Sequence, residues 1–366
     1  MTATAVIPVT ILTGYLGSGK TTLLNRLLEH PDAAGSAVIV NEFGAVAIDH
    51  ALVRTASENV VLLPSGCICC QVAGDLVQAM RDLHFKRAAG EIPAFRRAIV
   101  ETTGLADPAP LLRTLVELPL VAARYSLSGV VTTVDGEYGF GQLDAHPEAV
   151  KQAAVADRLV ITKADLAAPG AIEALDRRLA ALNPGATRLV STQGDADPAR
   201  LLDTGLYRGE GRIADAASWL NAGAYRHAGG ARTAAHDPRV RAFVWRHEGA
   251  IDRTALEDGL ATLLELAGDR ILRVKGLARV AGEAGPVALH AVQHTLYPFA
   301  PLAAWPDDDH GTRLVFVVRD LEVDFVAQTL DSFAATKGTL PFAGPQRDEQ
   351  AAKGSVPFVA IETAPR

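Results

Sequence analysis

The sequence predicts an α/β fold, a mostly parallel sheet flanked by helices, followed by a smaller α+β domain. Three observations lead there. Val6–Thr13 is a short, mostly apolar, β-branched run ended by Gly14, the pattern of a buried strand, and a glycine-rich loop carries it into the helical spacing of Thr22–Glu29. Further such runs at Ala37–Asn41, Val60–Leu63, Arg97–Val100 and Arg158–Thr162 are separated by helical or loop-like stretches, as parallel strands with crossovers require. Beyond about residue 238 the order becomes β-α-β-β-β-α, which suits a compact α+β unit.

At 366 residues the chain is long enough for two domains with separate cores. We divide it into residues 1–205, a Gly- and Ala-rich linker over 206–238, and a C-terminal domain over 239–366. Hydrophobic residues make up 49% and charged residues 21%, a globular composition. No apolar run approaches the roughly 18 residues of a membrane span, and the first ten residues lack a signal-peptide pattern. A net charge of −7 argues against a broad nucleic-acid footprint, so neither nucleic acid nor membrane is an expected partner. With three cysteines, which cannot all pair, the expected location is the reducing cytoplasm.

The first loop reads Gly14-Tyr-Leu-Gly17-Ser18-Gly19-Lys20-Thr21-Thr22, a G-x-x-x-x-G-K-T pattern in its strand–loop–helix setting. Glycines let backbone N–H groups curl around phosphates, and the helix that follows points its partial positive end at them. Lys20 is expected to bridge the β- and γ-phosphates, and Thr21 to offer its hydroxyl to Mg²⁺. The pattern predicts a P-loop NTPase domain.

Two later segments supply what such a site needs. The strand Arg97–Val100 delivers Glu101-Thr-Thr-Gly104, where an acid can serve Mg²⁺ and a glycine N–H can sense the γ-phosphate. Thr162-Lys163-Ala-Asp165 ends another strand. A carboxylate at Asp165 can accept the paired donors of guanine, which adenine lacks, while Lys163 lies along the base. GTP is therefore expected over ATP. Thr162 stands where the usual motif has Asn, and Val190-Ser-Thr-Gln-Gly194 is placed to touch the base as well.

The three cysteines, Cys67, Cys69 and Cys70, stand together after Gly66 and nowhere else. So tight a cluster suggests sulfur chemistry, with a soft metal, a redox couple or a nucleophile as the choices. Cys67 and Cys70 have C-x-x-C spacing, but the intervening Cys69 and the P-loop setting argue against a redox couple.

Taken in order, these motifs resemble those of the CobW-type GTPases, P-loop metallochaperones related to the nickel-insertion GTPases of urease and hydrogenase maturation. The matching residues are Gly14–Thr22, Asn41-Glu-Phe-Gly44 with Ile48-Asp49, Gly66–Cys70, Glu101–Pro108 and Thr162–Leu166. Arg273-Val-Lys-Gly276 and the segment from His290 to Pro306 extend the likeness into the second half. The resemblance implies GTP hydrolysis coupled to metal handling, with zinc the usual cargo and cobalt that of the cobalamin-related branch. Ala45 stands where the family often has Glu, and the long histidine tract of some members is absent.

Three thiolates cannot close a tetrahedral zinc shell, so a fourth ligand must come from elsewhere in the chain, from water or from a receiving protein, and Glu42 is the best in-chain candidate. Asp49 and Glu101 are the candidates for orienting the attacking water. The leading reading is a GTPase that passes zinc to a client metalloprotein; self-association into a homo-oligomer is compatible with the sequence. The competing readings are a zinc-responsive regulatory G-protein and a P-loop kinase for a small molecule. In the second half, strands are expected at Val240–Trp245, Arg270–Ala281, Val287–Val292 and Arg313–Val318, with helices at Asp252–Leu266 and Leu321–Thr336 and an edge strand at Pro357–Ile361. Asp307–His310 reads as a solvated acidic turn. This half carries no catalytic set and is assigned partner recognition or regulation.

Overall fold

The computed structural model describes residues 6–33, 35–40, 60–62, 71–202 and 239–335. Its first half is a seven-stranded sheet in the order β3-β2-β4-β1-β5-β6-β7. The strands are β1 (Ile7–Gly14), β2 (Ser36–Val40), β3 (Val60–Leu62), β4 (Arg97–Glu101), β5 (Tyr125–Asp135), β6 (Arg158–Thr162) and β7 (Thr187–Val190). Every pairing among them is parallel. All their C-terminal ends therefore open on one edge, where open α/β sheets bind ligands. The helices are α1 (Lys20–Glu29), α2 (Gln71–Ala89), α3 (Ala109–Glu117), α4 (Pro119–Ala122), α5 (Gly139–Ala145), α6 (Pro147–Val155), α7 (Ala171–Leu182) and α8 (Pro198–Leu202).

Burial on both faces explains the near-continuous apolar runs of these strands. β2 and β6 are buried at every position. One apolar cluster gathers Val9, Ile11, Ile39, Val100 and Val130 under Leu76, Met80 and Leu112; a second gathers Leu12, Val38, Ile99 and Val160 against Leu23, Leu24 and Leu27 of α1. Helix α2 runs to Ala89, beyond the Asp75–Leu83 core of its sequence pattern. Gly90, at φ 72°, ends it with a left-handed residue.

The second half is an antiparallel sheet in the order β11-β10-β9-β13-β8, with β12 paired to β10. Its strands are β8 (Val240–His247), β9 (Ile271–Ala278), β10 (Val287–Val292), β11 (Thr295–Leu296), β12 (Ala300–Pro301) and β13 (Thr312–Arg319). Helices α9 (Arg253–Ala267) and α10 (Val323–Ala334) cover one face, with Leu260, Leu263, Val326 and Leu330 packed on Trp245, Leu314 and Phe316. Residues of the opposite parity, Val240 and Val317, pack with Leu272 into the P-loop domain beside Leu143, Leu175 and Leu179. The acidic turn expected to be solvated is instead paired. Arg313 donates to Asp307 at 2.6 Å and Arg246 to Asp309 at 2.8 Å, because Arg313 is buried and needs a counter-charge. The linker expected over 206–238 and the edge strand at Pro357–Ile361 lie outside the described residues.

Candidate nucleotide and metal site

The P-loop joins β1 to α1 at the centre of the sheet edge. Gly14 has φ 144°, and a Cβ there would lie 2.2 Å from Thr133 Oγ1, so only glycine lets β1 and β5 pass this closely. Gly17 and Gly19 are also left-handed, and Gly19 caps α1 without a side-chain hydrogen bond. That leaves the first N–H groups of α1 for an anion. Lys20 Nζ reaches back across the loop to the carbonyls of Gly14 at 3.0 Å and Tyr15 at 3.1 Å. Ser18 is buried and its hydroxyl shares a 2.7 Å hydrogen bond with Thr133, so that side chain braces the loop rather than facing a ligand. Thr22 is exposed on the first turn of α1.

The two residues expected to serve Mg²⁺ meet. Thr21 Oγ1 donates to Glu101 Oε1 at 2.8 Å across 80 residues of sequence, and Glu101 is buried. A carboxylate beside a hydroxyl is a hard-oxygen pair of the kind Mg²⁺ takes, together with phosphate oxygens and water. Thr102 holds the pair in place: its N–H donates to Leu12 O at 2.9 Å and its hydroxyl to Thr13 Oγ1 at 2.7 Å. Gly104 then lies directly under the P-loop, where a Cβ would come within 2.7 Å of Leu16 N.

The residues expected to contact the base lie at the end of β6. The hydroxyl of Thr162 donates to Ser18 O at 2.7 Å, tying β6 to the P-loop with the one donor it has. Lys163 sits at φ 53° and its ammonium pairs with Asp135 at 2.7 Å, while Asp165 is exposed. The Ser191–Gly194 loop folds over α1: a Cβ on Gly194 would lie 2.9 Å from Thr22 O.

Sequence reasoning missed β5, and with it Thr133 and Asp135. Its β-branched run Val130–Val134 ending in Asp135 was the available signal. It also missed Lys151 and Gln152 on α6, for which the sequence carries no motif. Gln152 is fully buried and donates to the carbonyls of Gly104 at 3.1 Å and Ala106 at 3.0 Å. Lys151 donates to Asp107 at 2.9 Å. Burial alone would raise the Asp107 pKa, but hydrogen bonds from Lys151, the Ala109 N–H and Gln293 together hold it below the ordinary value.

Cys67, Cys69, Cys70, Glu42 and Asp49 lie outside the described residues. Among the described residues no cluster of three His, Cys, Asp or Glu could hold a metal ion. The strand before the cysteines, β3, ends on the phosphate edge, and α2 begins at Gln71, directly after Cys70.

Residues 8–190 match the family described as CobW/HypB/UreG, nucleotide-binding domain, and residues 240–334 match the cobalamin synthesis protein cobW C-terminal domain. The chain belongs to the CobW family. It is 32% identical over 311 residues to the zinc chaperone YjiA of Escherichia coli, covering 85% of this chain and 93% of that protein. It is 29% identical over 369 residues to the zinc chaperone CobW of Pseudomonas aeruginosa, covering 90% and 92%. Among solved structures it resembles a zinc-bound triple mutant of the YjiA GTPase, in which one glutamate and two cysteines are replaced by alanine. That match has a TM-score of 0.66 and 26% identity over 90% of this chain and 99% of the other. Like its relatives, this CobW-family chain is a P-loop GTPase, and among its described residues no helix is long and apolar enough to cross a membrane.

Proposed function

We propose that the chain is a GTP-driven zinc chaperone that binds zinc through Cys67, Cys69 and Cys70, with Glu42 as the fourth ligand, and passes it to a client metalloprotein. The observation that carries the reading is the junction at the sheet edge. Thr21 and Glu101 lie within hydrogen-bond distance, Gly104 lies against the P-loop, and β3 leads from the same edge toward the cysteines. The family relatives named zinc chaperones support zinc as cargo, with cobalt the alternative metal. The division into residues 1–205, 206–238 and 239–366, a cytoplasmic location where thiols stay reduced, and self-association belong to the same proposal.

The reaction is GTP plus water to GDP plus phosphate. The P-loop from Gly14 to Thr22 cradles the phosphates, and Lys20 exchanges its two carbonyl contacts for phosphate oxygens. Thr21 and Glu101 are the residues that would hold Mg²⁺, which when bound neutralises charge on the phosphate oxygens. Gly104 senses the γ-phosphate, Asp49 and Glu101 are the candidates to orient the water, and Thr162, Lys163 and Asp165 serve the guanine. A helix that starts next to Cys70 favours its thiolate, the form that binds metal.

The test is a zinc titration of the purified chain in GDP and in a non-hydrolysable GTP analogue, repeated with Cys69→Ser. Zinc affinity should differ between the two nucleotide states, and Cys69→Ser should weaken it. Equal affinity in both states, or a Cys69→Ser variant that binds zinc normally, rejects the mechanism.

A further inference from the structure

The loop from Glu101 to Pro108 is held from two directions. From within the P-loop domain, Gln152 fixes the carbonyls of Gly104 and Ala106, and Lys151 binds Asp107. From the C-terminal domain, Gln293 Nε2 donates to the same oxygen of Asp107 at 3.0 Å. Asp107 passes the restraint on, since its other oxygen accepts from Ala109 N at 3.0 Å at the start of α3.

Gln293 is set up for this contact. It occupies the β10–β11 turn at φ 49°, a left-handed conformation that a side chain adopts at a cost. The strands on either side are anchored in the other domain. Val292 and Tyr297 are buried within the apolar cluster that contains Val9, Ile11 and Leu112. The turn therefore has a rigid base, and the amide at its tip meets Asp107 three residues after the glycine that lies under the P-loop.

We propose that Gln293 is a positioning residue for GTP hydrolysis, supplied by the C-terminal domain and acting through Asp107 on the Gly104 loop. The loop must place one N–H against the γ-phosphate, and a displacement well under 1 Å changes that hydrogen bond. Gln293 and Lys151 grip Asp107 from opposite domains, so the loop geometry depends on how the C-terminal domain is seated. Linkage makes the dependence mutual: whatever the γ-phosphate does to the loop also reaches the β10–β11 turn. The inference rests on the chain being a GTPase.

The test compares wild type, Gln293→Ala, Gln293→Glu and Asp107→Asn/Gln293→Ala with His294→Ala, an exposed change on the same turn. Single-turnover and steady-state GTP hydrolysis, GDP affinity and urea unfolding are measured on the full chain. Gln293→Ala should lower kcat by about fivefold to tenfold, the scale of one lost hydrogen bond, with GDP affinity and unfolding midpoint unchanged. Gln293→Glu, which sets a second carboxylate against Asp107, should lower it further and recover as pH falls toward the carboxylate range. Asp107→Asn is measured alone as well: the double variant should be no slower than it, and His294→Ala should match wild type. Wild-type kcat in both Gln293 variants, or a loss that tracks the folded fraction, overturns the proposal while leaving the GTPase reading intact. A wild-type chain that hydrolyses no GTP overturns both.

Discussion

Lys163 shows how a single side chain is prepared for its task. Its ammonium is pinned to Asp135, which is 1% exposed and also accepts from the N–H groups of Glu137 at 2.8 Å and Tyr138 at 3.0 Å. The ion pair fixes the lysine stem across the end of β6, and under the proposed function that is where the base would stack. Asp135→Asn keeps an acceptor for the turn but removes the charge. We expect GDP affinity to fall about tenfold and the preference for GDP over ADP to narrow, measured by competition binding, with little change in unfolding midpoint. Unaltered GDP affinity would show that Asp135 serves the turn alone. At this scale Thr162, Lys163 and Asp165 could be picked out as candidates because their spacing matches a known chemistry. Asp135 was not, since a strand ending in aspartate is common and its partner lies 28 residues away.

Elements were legible in proportion to how locally they are specified. Helix α9 is the clearest case: it was expected from Asp252, and in the structure Asp252 is its N-cap, the carboxylate accepting from Ala255 N at 3.0 Å. Leu256, Leu260, Leu263 and Leu264 then form the buried face. Asp252→Ala should cost about 1 kcal/mol of stability, seen as a lower urea midpoint with an unchanged slope. The two-residue strands β11 and β12 escaped notice because so short a run has no periodicity to read; only pairing with β10 makes them strands. The full length of α2 was missed for a related reason. Its last turns, through Lys86 and Arg87, are polar, and helicity there follows from propagation of a packed helix.

Across the whole molecule, the domains meet over buried charge as well as apolar surface. Asp157, 1% exposed at the start of β6, pairs with Arg273 and lies 3.6 Å from Lys275, both on β9, and the Val130 N–H donates to it at 3.0 Å. Burial by itself would raise the Asp157 pKa, but Arg273 and Lys275, with the Val130 N–H, pull it far below the ordinary value. Burial lowers Lys275 to about 7 and takes the nearby His290 well below 6.5. Removing one partner of such a cluster strands the others, so Asp157→Asn should cost about 3–5 kcal/mol at neutral pH.

The pH dependence has a definite sign. Below about 6.5 the unfolded chain protonates His290 while the buried ring resists. Below about 3.8 it protonates Asp157 while the folded carboxylate stays ionised. The unfolded state binds more protons in both windows, as it does between pH 10.5 and about 7 through Lys275, so stability falls on acidification, in two stages below pH 7. Urea midpoints from pH 7 to pH 3 should show both stages in the wild type. His290→Phe should flatten the upper one and Asp157→Asn the lower.

What the sequence determined by itself was what short segments can encode. The P-loop, the Glu101 loop, the T-K-x-D turn and the cysteine cluster each suggest a chemistry through adjacent residues, and the order of the strands implied the parallel sheet that the structure has. The tertiary structure decided what depends on packing between distant segments. It put Glu101 against Thr21, Asp135 under Lys163, Gln152 beneath Gly104, and Arg273 and Gln293 of the second domain onto Asp157 and Asp107 of the first. Those contacts join residues 28 to 186 positions apart, and each is made by a side chain common enough in proteins to carry no signature. In sequence, the C-terminal half was assigned partner recognition or regulation by elimination. Buried charges tie it to β6, and the Gln293 turn ties it to the Glu101–Pro108 loop proposed to read the nucleotide.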